Sequence, residues 1–192
     1  MKRWGRYAVT IAAGLLLGVG GAVVTVKSQV LGSDARIGAW ATGQDFGSER
    51  AGPLTRAVIA MKGLLALPAS EARYYVTTVD DAGDPLDGRC RYRVTGGDLP
   101  TKWWSITLYG ADNYLVANPA GIFSFSGTAL PPAKRTGWTL TVAPASTPGH
   151  WLPTGGVERF DLTLRTYLPD DGGTGNLTAA QLPRVAKLGC GA

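Results

Sequence analysis

The 192-residue sequence contains few of the residues from which metal sites and nucleophilic catalytic sites are usually built. It has one histidine, His150, and two cysteines, Cys90 and Cys190, which do not supply the ligands of a zinc site. A Ser-His-Asp or Cys-His site would have to use His150, and no neighbouring residue orients that side chain as a base. We therefore predict no catalytic residue, no metal and no cofactor. His150 is expected to be a loop residue at a strand end.

Charge is also scarce, since charged residues make up 17% of the sequence and the formal net charge is +5. Lys2, Arg3 and Arg6 form one basic cluster, and the other Lys and Arg residues are scattered among acids. Nucleic-acid-binding domains usually carry a basic patch or stripe. We therefore predict no nucleic-acid partner. The sequence also lacks a GxSxG motif, a phosphate-binding glycine loop and a dinucleotide fingerprint.

The sequence does contain a long apolar run, Tyr7–Val26, without a single charge. As a helix this run would be about 30 Å long, which matches the hydrocarbon core of a bilayer. Cations cluster before the run, whereas Lys27 is the only close cation after it. The positive-inside rule then predicts a cytoplasmic end at residues 1–6, one span of the inner membrane at 7–26, and the bulk of the chain in the periplasm or outside.

A cleaved signal peptide is the alternative interpretation of this run. Signal peptides have apolar regions of about 7–15 residues followed by a small-x-small cleavage site. The run here is longer and lacks a good site, so an uncleaved anchor is favoured. Gly14 and Gly18 form a small-xxx-small pair, which predicts a weak homodimer within the membrane.

Export makes the two cysteines informative, because a disulfide can form outside the cytoplasm. A bond between Cys90 and Cys190 would attach the C-terminal end of the chain to the body of the domain. Two free thiols are the alternative.

Periodicity divides the exported part into a linker, a helix and a series of strands. Residues 27–52 are rich in Gly and Ser and are predicted to be a linker. In PLTRAVIAMKGLLAL (53–67), apolar residues recur at helical spacing between Pro53 and Pro68, which predicts an amphipathic helix that packs on the domain.

Strand-like segments follow, each bounded by Gly, Pro, Asn or Asp. They are Arg73–Val79, Cys90–Thr95, WWSITLY, NYLVAN, IFSFS, WTLTVA and RFDLTLRTYLP. Short strands without helices between them predict a mainly β fold, an antiparallel β-sandwich or jelly-roll-like domain over 53–169. Residues 170–192 are predicted to be a C-terminal surface tail.

Alternation within KWWSITLYG assigns its two tryptophans to opposite faces of one strand. Trp104, Ile106 and Leu108 form an apolar face that is expected to point into the core. Trp103 lies on the mixed face with Tyr109. A possible ligand or partner surface comprises Trp103, Tyr109, Tyr114, Trp138, His150 and Trp151. The simpler interpretation is that these rings fill the core and its edges, because aromatics are enriched in strands whatever the function.

Two groups of acidic residues are candidates for a metal site or a catalytic site. Asp80, Asp81, Asp84 and Asp87 supply enough oxygens for calcium, but their spacing is not that of an EF-hand and tight turns use the same residues. Asp98, Asp112, Glu158 and Asp161 are candidates for a glycosidase-like pair of carboxylates. Nothing in the sequence selects two of them.

An ordered set of motifs resembles a known bacterial family. Asp87-Gly88, WSITLYG (104–110), YLVANP (114–119) and HWLPTG…FDLTLRTYLP (150–169) are similar to the family called domain of unknown function 1214. The resemblance covers 53–169 and implies a β-rich, jelly-roll-like sandwich, usually the C-terminal part of longer exported proteins. It implies no catalytic residue. In this sequence a predicted apolar helix stands where that upstream domain is expected, and Gly110 and Ile122 stand where Asp and Arg are common.

The sequence therefore predicts a membrane-anchored cell-envelope protein whose β-sandwich binds an envelope protein, a small molecule or a glycan. A non-enzymatic role is favoured. The alternative is an exported carboxylate-dependent hydrolase or carbohydrate-active enzyme, which requires two acids in one cleft beside exposed aromatic rings.

Overall fold

The computed structural model of the protein describes residues 3–28, 35–43, 45–61 and 66–191. It divides into two compact units, Met1–Val30 and Leu31–Ala192. The first unit contains helix α1, Arg3–Ser28, of which Trp4–Thr25 is long and apolar enough to cross a membrane. The predicted apolar helix at 7–26 is thus present, as part of a slightly longer helix.

Two threonine side chains of α1 bond within the helix itself. The hydroxyls of Thr10 and Thr25 donate to the carbonyls of Arg6 and Gly21, each one turn earlier. Bonds of this kind give the two threonine hydroxyls an acceptor within the helix, which suits a helix in hydrocarbon.

The second unit is a sandwich of two sheets. The six-stranded sheet has the order β1-β2-β3-β9-β5-β6, in which every pairing is antiparallel. Its strands are β1 Ala35–Ile37, β2 Trp40–Thr42, β3 Ala72–Thr77, β5 Thr101–Gly110, β6 Ser124–Ser126 and β9 Phe160–Pro169. The four-stranded sheet has the order β10-β4-β7-β8 and consists of β4 Cys90–Gly96, β7 Trp138–Ala143, β8 His150–Pro153 and β10 Arg184–Cys190. The predicted mainly β sandwich is confirmed, although β7 and β8 run parallel.

One hydrophobic core lies between the two sheets and draws on both. Trp104, Ile106 and Leu108 of β5 are buried in it, as alternation predicts. Ile106 pairs across the sheet with Leu164 of β9, and Leu108 pairs with Leu162. Each such side chain contributes about 1.5–3 kcal/mol when it is fully buried.

The sandwich begins before residue 53, so the linker prediction is wrong for residues 35–42. These residues form the β1-β2 hairpin at one edge of the six-stranded sheet. Trp40 is buried, and its indole N–H donates to the carbonyl of Pro183 at 2.7 Å. Three-residue strands are too short to show a period of two.

The sandwich also extends beyond residue 169, so the prediction of a surface tail over 170–192 is wrong. Strand β10 pairs with β4, and Leu177, Leu182 and Val185 belong to the core. The structure joins Cys90 to Cys190 by a disulfide at the end of this strand pair. The strand has one buried residue among exposed ones, which hides it from pattern analysis.

Helix α2 is shorter than predicted, at Pro53–Met61, since residues 66–68 are not helical. Leu64 and Leu65 of the predicted apolar face lie outside the described residues. Val58 is the buried residue of α2, whereas Leu54 and Met61 are 37% and 48% exposed. The helix therefore packs mainly through one side chain.

Candidate functional site

Two connecting segments leave the six-stranded sheet side by side. Gly110, the last residue of β5, pairs with Phe160, the first residue of β9. Segment 111–117 therefore begins beside the point where segment 154–159 ends. Gly155 has φ +60, and a Cβ there would lie 2.5 Å from Cγ1 of Val116. The two segments approach this closely because residue 155 is glycine.

A third segment, 86–89 between β3 and β4, packs against segment 154–159. The hydroxyl of Thr154 donates to the carbonyl of Gly88 at 2.5 Å. A Cβ on Gly88 would lie 2.1 Å from the carbonyl oxygen of Val157, so the backbones are in contact. The motifs that carry the family resemblance at 87–88, 114–119 and 150–155 thus meet at one end of the sandwich.

A groove of about 610 Å³ opens between these segments, and we call it the end groove. Its lining residues are Gly110, Ala111, Asp112, Leu115, Val116, Ala117, Gly155, Val157, Glu158 and Arg159. The walls are mostly apolar, with three charges among them. A neighbouring pocket of about 320 Å³ shares Ala111 and Arg159 and adds Asp161. Ligand sites usually combine apolar walls with a few polar groups in this way.

Charges alternate in sign beside the end groove. Arg89 forms an ion pair with Asp87, with 2.6 Å between Nη2 and Oδ2. Hydrogen bonds from the Arg89 side chain and backbone N–H, helped by Arg159, hold the pKa of the Asp87 carboxyl well below its usual range. In turn Asp87, and to a smaller extent Glu158, raises the pKa of Arg89. Arg89 is exposed and Asp87 is partly exposed, so water and salt weaken the pair.

The structure brings together three of the four carboxylates that the sequence nominates for an enzyme. Asp112 and Glu158 line the end groove, and Asp161 lines the neighbouring pocket. Asp161 is buried and accepts a hydrogen bond from the Thr163 hydroxyl at 3.2 Å. Asp98 precedes β5 and so lies at the opposite end of that strand.

The aromatic residues that the sequence nominates as a surface do not form one platform. Trp138 is a core residue, because its ring stacks on Trp104 with 4.9 Å between centroids. Trp103 is 40% exposed and donates to the Thr128 hydroxyl at 2.7 Å. Tyr109 lies six positions further along the same strand, and this spacing corresponds to a distance of about 20 Å.

The other members of that set have separate environments. The Tyr109 hydroxyl accepts a hydrogen bond from Arg165 at 2.8 Å. Trp151 is half-buried and donates to the Ala143 carbonyl. His150 is the first residue of β8, so it is part of a strand rather than a loop residue, and it packs on Phe125. Tyr114 is 74% exposed and precedes Leu115 of the end groove.

Segment 113–123 carries an exposed apolar set of which sequence analysis nominates only Tyr114. Tyr114, Leu115, Ile122 and Phe123 are all exposed. Asn118 fixes the segment, since its amide donates to the carbonyls of Val116 and Ile122 and accepts from the Ile122 N–H. The segment was predicted to contain a strand, but it makes only one isolated bridge, Tyr109 to Leu115. The Asn-Pro-Ala-Gly turn was the available signal.

The aspartates considered for calcium bond to protein groups. Asp80 accepts from the backbone N–H groups of Ala82 and Asp84. Asp81 pairs with Arg184 at 2.8 Å, and Asp84 lies 3.7 Å from Lys187. Within the described ranges no three His, Cys, Asp or Glu residues converge as metal ligands. These aspartates therefore form turns and ion pairs.

Comparison with solved structures finds chains that are similar to this one. The VPA0106 protein from Vibrio parahaemolyticus has 22% sequence identity and a TM-score of 0.59, covering 91% of this chain and 43% of that one. A second structure, an uncharacterized protein from Burkholderia cenocepacia, has 15% identity and a TM-score of 0.46, covering 94% and 42%. This chain thus spans less than half the length of either. No curated protein matches it significantly.

The family model described as a protein of unknown function (DUF1214) matches residues 71–171, which is more than half of the chain. The matched region runs from the start of β3 to the end of β9 and includes every segment that lines the end groove. The chain belongs to the DUF1214 family.

Proposed function

We propose that this protein is a single-span protein of the bacterial inner membrane whose β-sandwich binds a ligand in the end groove, outside the cytoplasm. The apolar helix α1 and the cluster of cations at its N-terminal end support the anchor and its orientation. A disulfide in the sandwich is consistent with an oxidising compartment.

The observation that carries the binding role is the end groove itself. Its volume of about 610 Å³ lies within the range of small-molecule sites, about 300–1,000 Å³. Leu115, Val116 and Val157 supply apolar contact, while Asp112, Glu158 and Arg159 supply charges of both signs. This combination suits an amphipathic small molecule or glycan that presents both an apolar face and hydroxyl or charged groups.

Blocking the groove tests this role. Ala117→Trp places a large ring in the end groove, and Ala145→Trp places the same ring on the exposed β7–β8 connection as a control. Each full-length variant is purified from its own membranes in nonionic detergent, and co-purifying molecules are identified by mass spectrometry. A molecule retained by wild type and Ala145→Trp but lost from Ala117→Trp supports the site. The same set in all three contradicts it.

The anchor and its orientation are tested by fractionation and protease protection. We expect full-length protein to resist extraction by high salt and the sandwich to be digested in spheroplasts but not in intact cells. Release by salt, or a mature form that starts near Ser28, contradicts the anchor. Protection of the sandwich in spheroplasts contradicts the orientation.

Self-association through α1 is a further part of the proposal. Within the described part of the first unit, no atom lies within 4 Å of a Cβ built on Gly14 or Gly18, so a second helix can approach there. Gly14→Leu with Gly18→Leu is expected to abolish cross-linking of the protein in membranes, whereas Gly5→Leu is the control. Equal cross-linking of both variants contradicts the dimer.

A carboxylate-dependent hydrolase is the second candidate function, because Asp112 and Glu158 line the same groove. A glycosidase mechanism requires two such acids about 5–10 Å apart. Hydrolysis of envelope glycans by the wild type, and its loss in both Asp112→Asn and Glu158→Gln, would support this candidate. Activity that survives both changes would exclude these residues as the catalytic pair.

A further inference from the structure

Arg73 is a charged residue in the interior of the sandwich. It lies on β3, two residues from the core residue Tyr75, and pairs across the sheet with Thr166 of β9. Only 4% of its surface is exposed. Arginine is rarely buried to this extent without a charged partner, because removing the guanidinium from water costs several kcal/mol, a general estimate for such ions.

The protein satisfies this guanidinium only in part. Nη1 donates to the carbonyl of Gly173 at 2.8 Å, and Nη2 donates to Oδ1 of Asn176. The guanidinium also interacts with the Tyr75 hydroxyl, whereas the buried Nε has no hydrogen-bond partner among the described residues. Across the described part of the chain, no ion pair within 4.0 Å involves Arg73.

The carboxylate of Asp171, on the wall of the same pocket as Arg73, is already held by another group of donors. Both carboxylate oxygens of Asp171 accept backbone N–H groups, from Gly173 at 2.9 Å and Gly175 at 2.8 Å. These bonds, with a smaller contribution from Arg73, lower the pKa of Asp171. Asp171 therefore stays ionised near Arg73 without forming an ion pair with it.

A pocket of about 260 Å³ lies against Arg73. Hydrogen-bonding side chains on its wall include Thr166 and Gln181, and apolar groups include Pro100, Pro169 and Leu177. The pocket lies where β5 begins and β9 ends, at the opposite end of these strands from the end groove. It is therefore a separate site, and it does not depend on the proposed function.

We propose that this pocket binds the carboxylate of a small organic acid, with Arg73 as its charge partner. A planar carboxylate matches the planar guanidinium, which donates through two parallel N–H groups. Pro100, Pro169 and Leu177 give a short alkyl chain apolar contacts. The negative charge of Asp171 disfavours a doubly charged ion such as phosphate, so a singly charged acid is selected.

The test uses the full-length protein in nonionic detergent, titrated with acetate, propionate, butyrate and inorganic phosphate. Binding is followed by calorimetry and by the ¹⁵N-coupled signal of the Arg73 Nε–H. We expect a saturable shift of that signal with the carboxylates, and affinity for butyrate at least about tenfold higher than for phosphate. No saturable shift with carboxylate up to about 50 mM, which exceeds the millimolar Kd of weak ligands, overturns the proposal. Tighter binding of phosphate overturns the assigned ligand class.

Variants locate the binding in this pocket. Arg73→Lys keeps the positive charge but removes the two parallel N–H groups of the guanidinium, so butyrate affinity should fall at least about tenfold. Thr166→Val keeps the side-chain volume and removes one hydroxyl from the pocket wall, so it should weaken butyrate binding several-fold. This variant tests the site if Arg73→Lys does not fold. Arg184→Lys, at an exposed position, is the control that should bind as wild type. Unchanged butyrate affinity in the folded Arg73 or Thr166 variant overturns the assignment.

Discussion

The Cys90–Cys190 disulfide allows a quantitative prediction of stability. It joins the ends of β4 and β10 and closes a loop with a sequence separation of 100. Cys190 is exposed whereas Cys90 is buried. Cys190→Ser therefore removes the bond without placing a new polar group in the core.

The expected loss follows from the length of the loop. In the chain-entropy model, cross-linking a loop of about 100 residues lowers the entropy of the unfolded chain by an amount worth about 4.7 kcal/mol at 25 °C. Strand β10 keeps its hydrogen bonds to β4 and its buried Val185, so the folded state should persist. Because a domain is stable by about 5–15 kcal/mol, the loss is a large part of the total.

The assay is urea unfolding of the full-length protein in detergent, followed by tryptophan fluorescence under oxidising conditions. Ala186→Ser, at an exposed position of the same strand, is the control that keeps the bond. We expect Cys190→Ser to lose about 3–5 kcal/mol and Ala186→Ser to lose less than about 0.5 kcal/mol. A loss below about 1 kcal/mol in Cys190→Ser would refute the entropic reasoning. An unfolding free energy of the wild type that does not change when reductant is added would refute it as well.

Three further predictions concern the end groove, the β1-β2 hairpin and acid stability. Gly155→Ala should lower the free energy of unfolding in urea by about 3 kcal/mol and Gly156→Ala by about 1 kcal/mol. Both residues have positive φ, but only a Cβ at Gly155 would meet Val116. Equal losses in the two variants would contradict the role of this contact. Trp40→Phe should lose about 1–3 kcal/mol in the same assay, since it leaves the buried Pro183 carbonyl without its donor; wild-type stability would show that this bond is dispensable. The lowered pKa of Asp87 means that its stabilising contribution is present above the unfolded pKa of about 3.9 and is lost as the pH falls below it. Asp87→Asn should therefore weaken the dependence of unfolding free energy on pH below about 4, and an unchanged slope would refute this role.

Elements with a long uniform pattern could be predicted from the sequence alone. The apolar run of α1 and the period-two alternation of β3, β4, β5, β7 and β9 are local properties of consecutive residues. Alternation also decided which tryptophan of the pair enters the core, Trp104 rather than Trp103. The two cysteines suggested the bond that the structure contains.

Elements held by distant partners could not be predicted in this way. Strand β10 has one buried residue, and the buried strand β2 contacts distant residues, since Trp40 bonds to Pro183 across 143 residues. Nothing local marks either segment as a strand. The same holds for Trp138, whose ring is in the core because Trp104 lies against it.

The candidate sites depend on tertiary structure even more strongly. The sequence by itself determined that an apolar helix precedes a β-rich domain, because hydrophobic period and length are local. Only the fold decided that Asp112 and Glu158 line one groove while Asp98 lies elsewhere, and that Arg73 is buried with no ion pair to any described residue. Grooves and buried charges arise where connections from distant parts of the chain meet, and that meeting is set by strand order and register rather than by neighbouring residues.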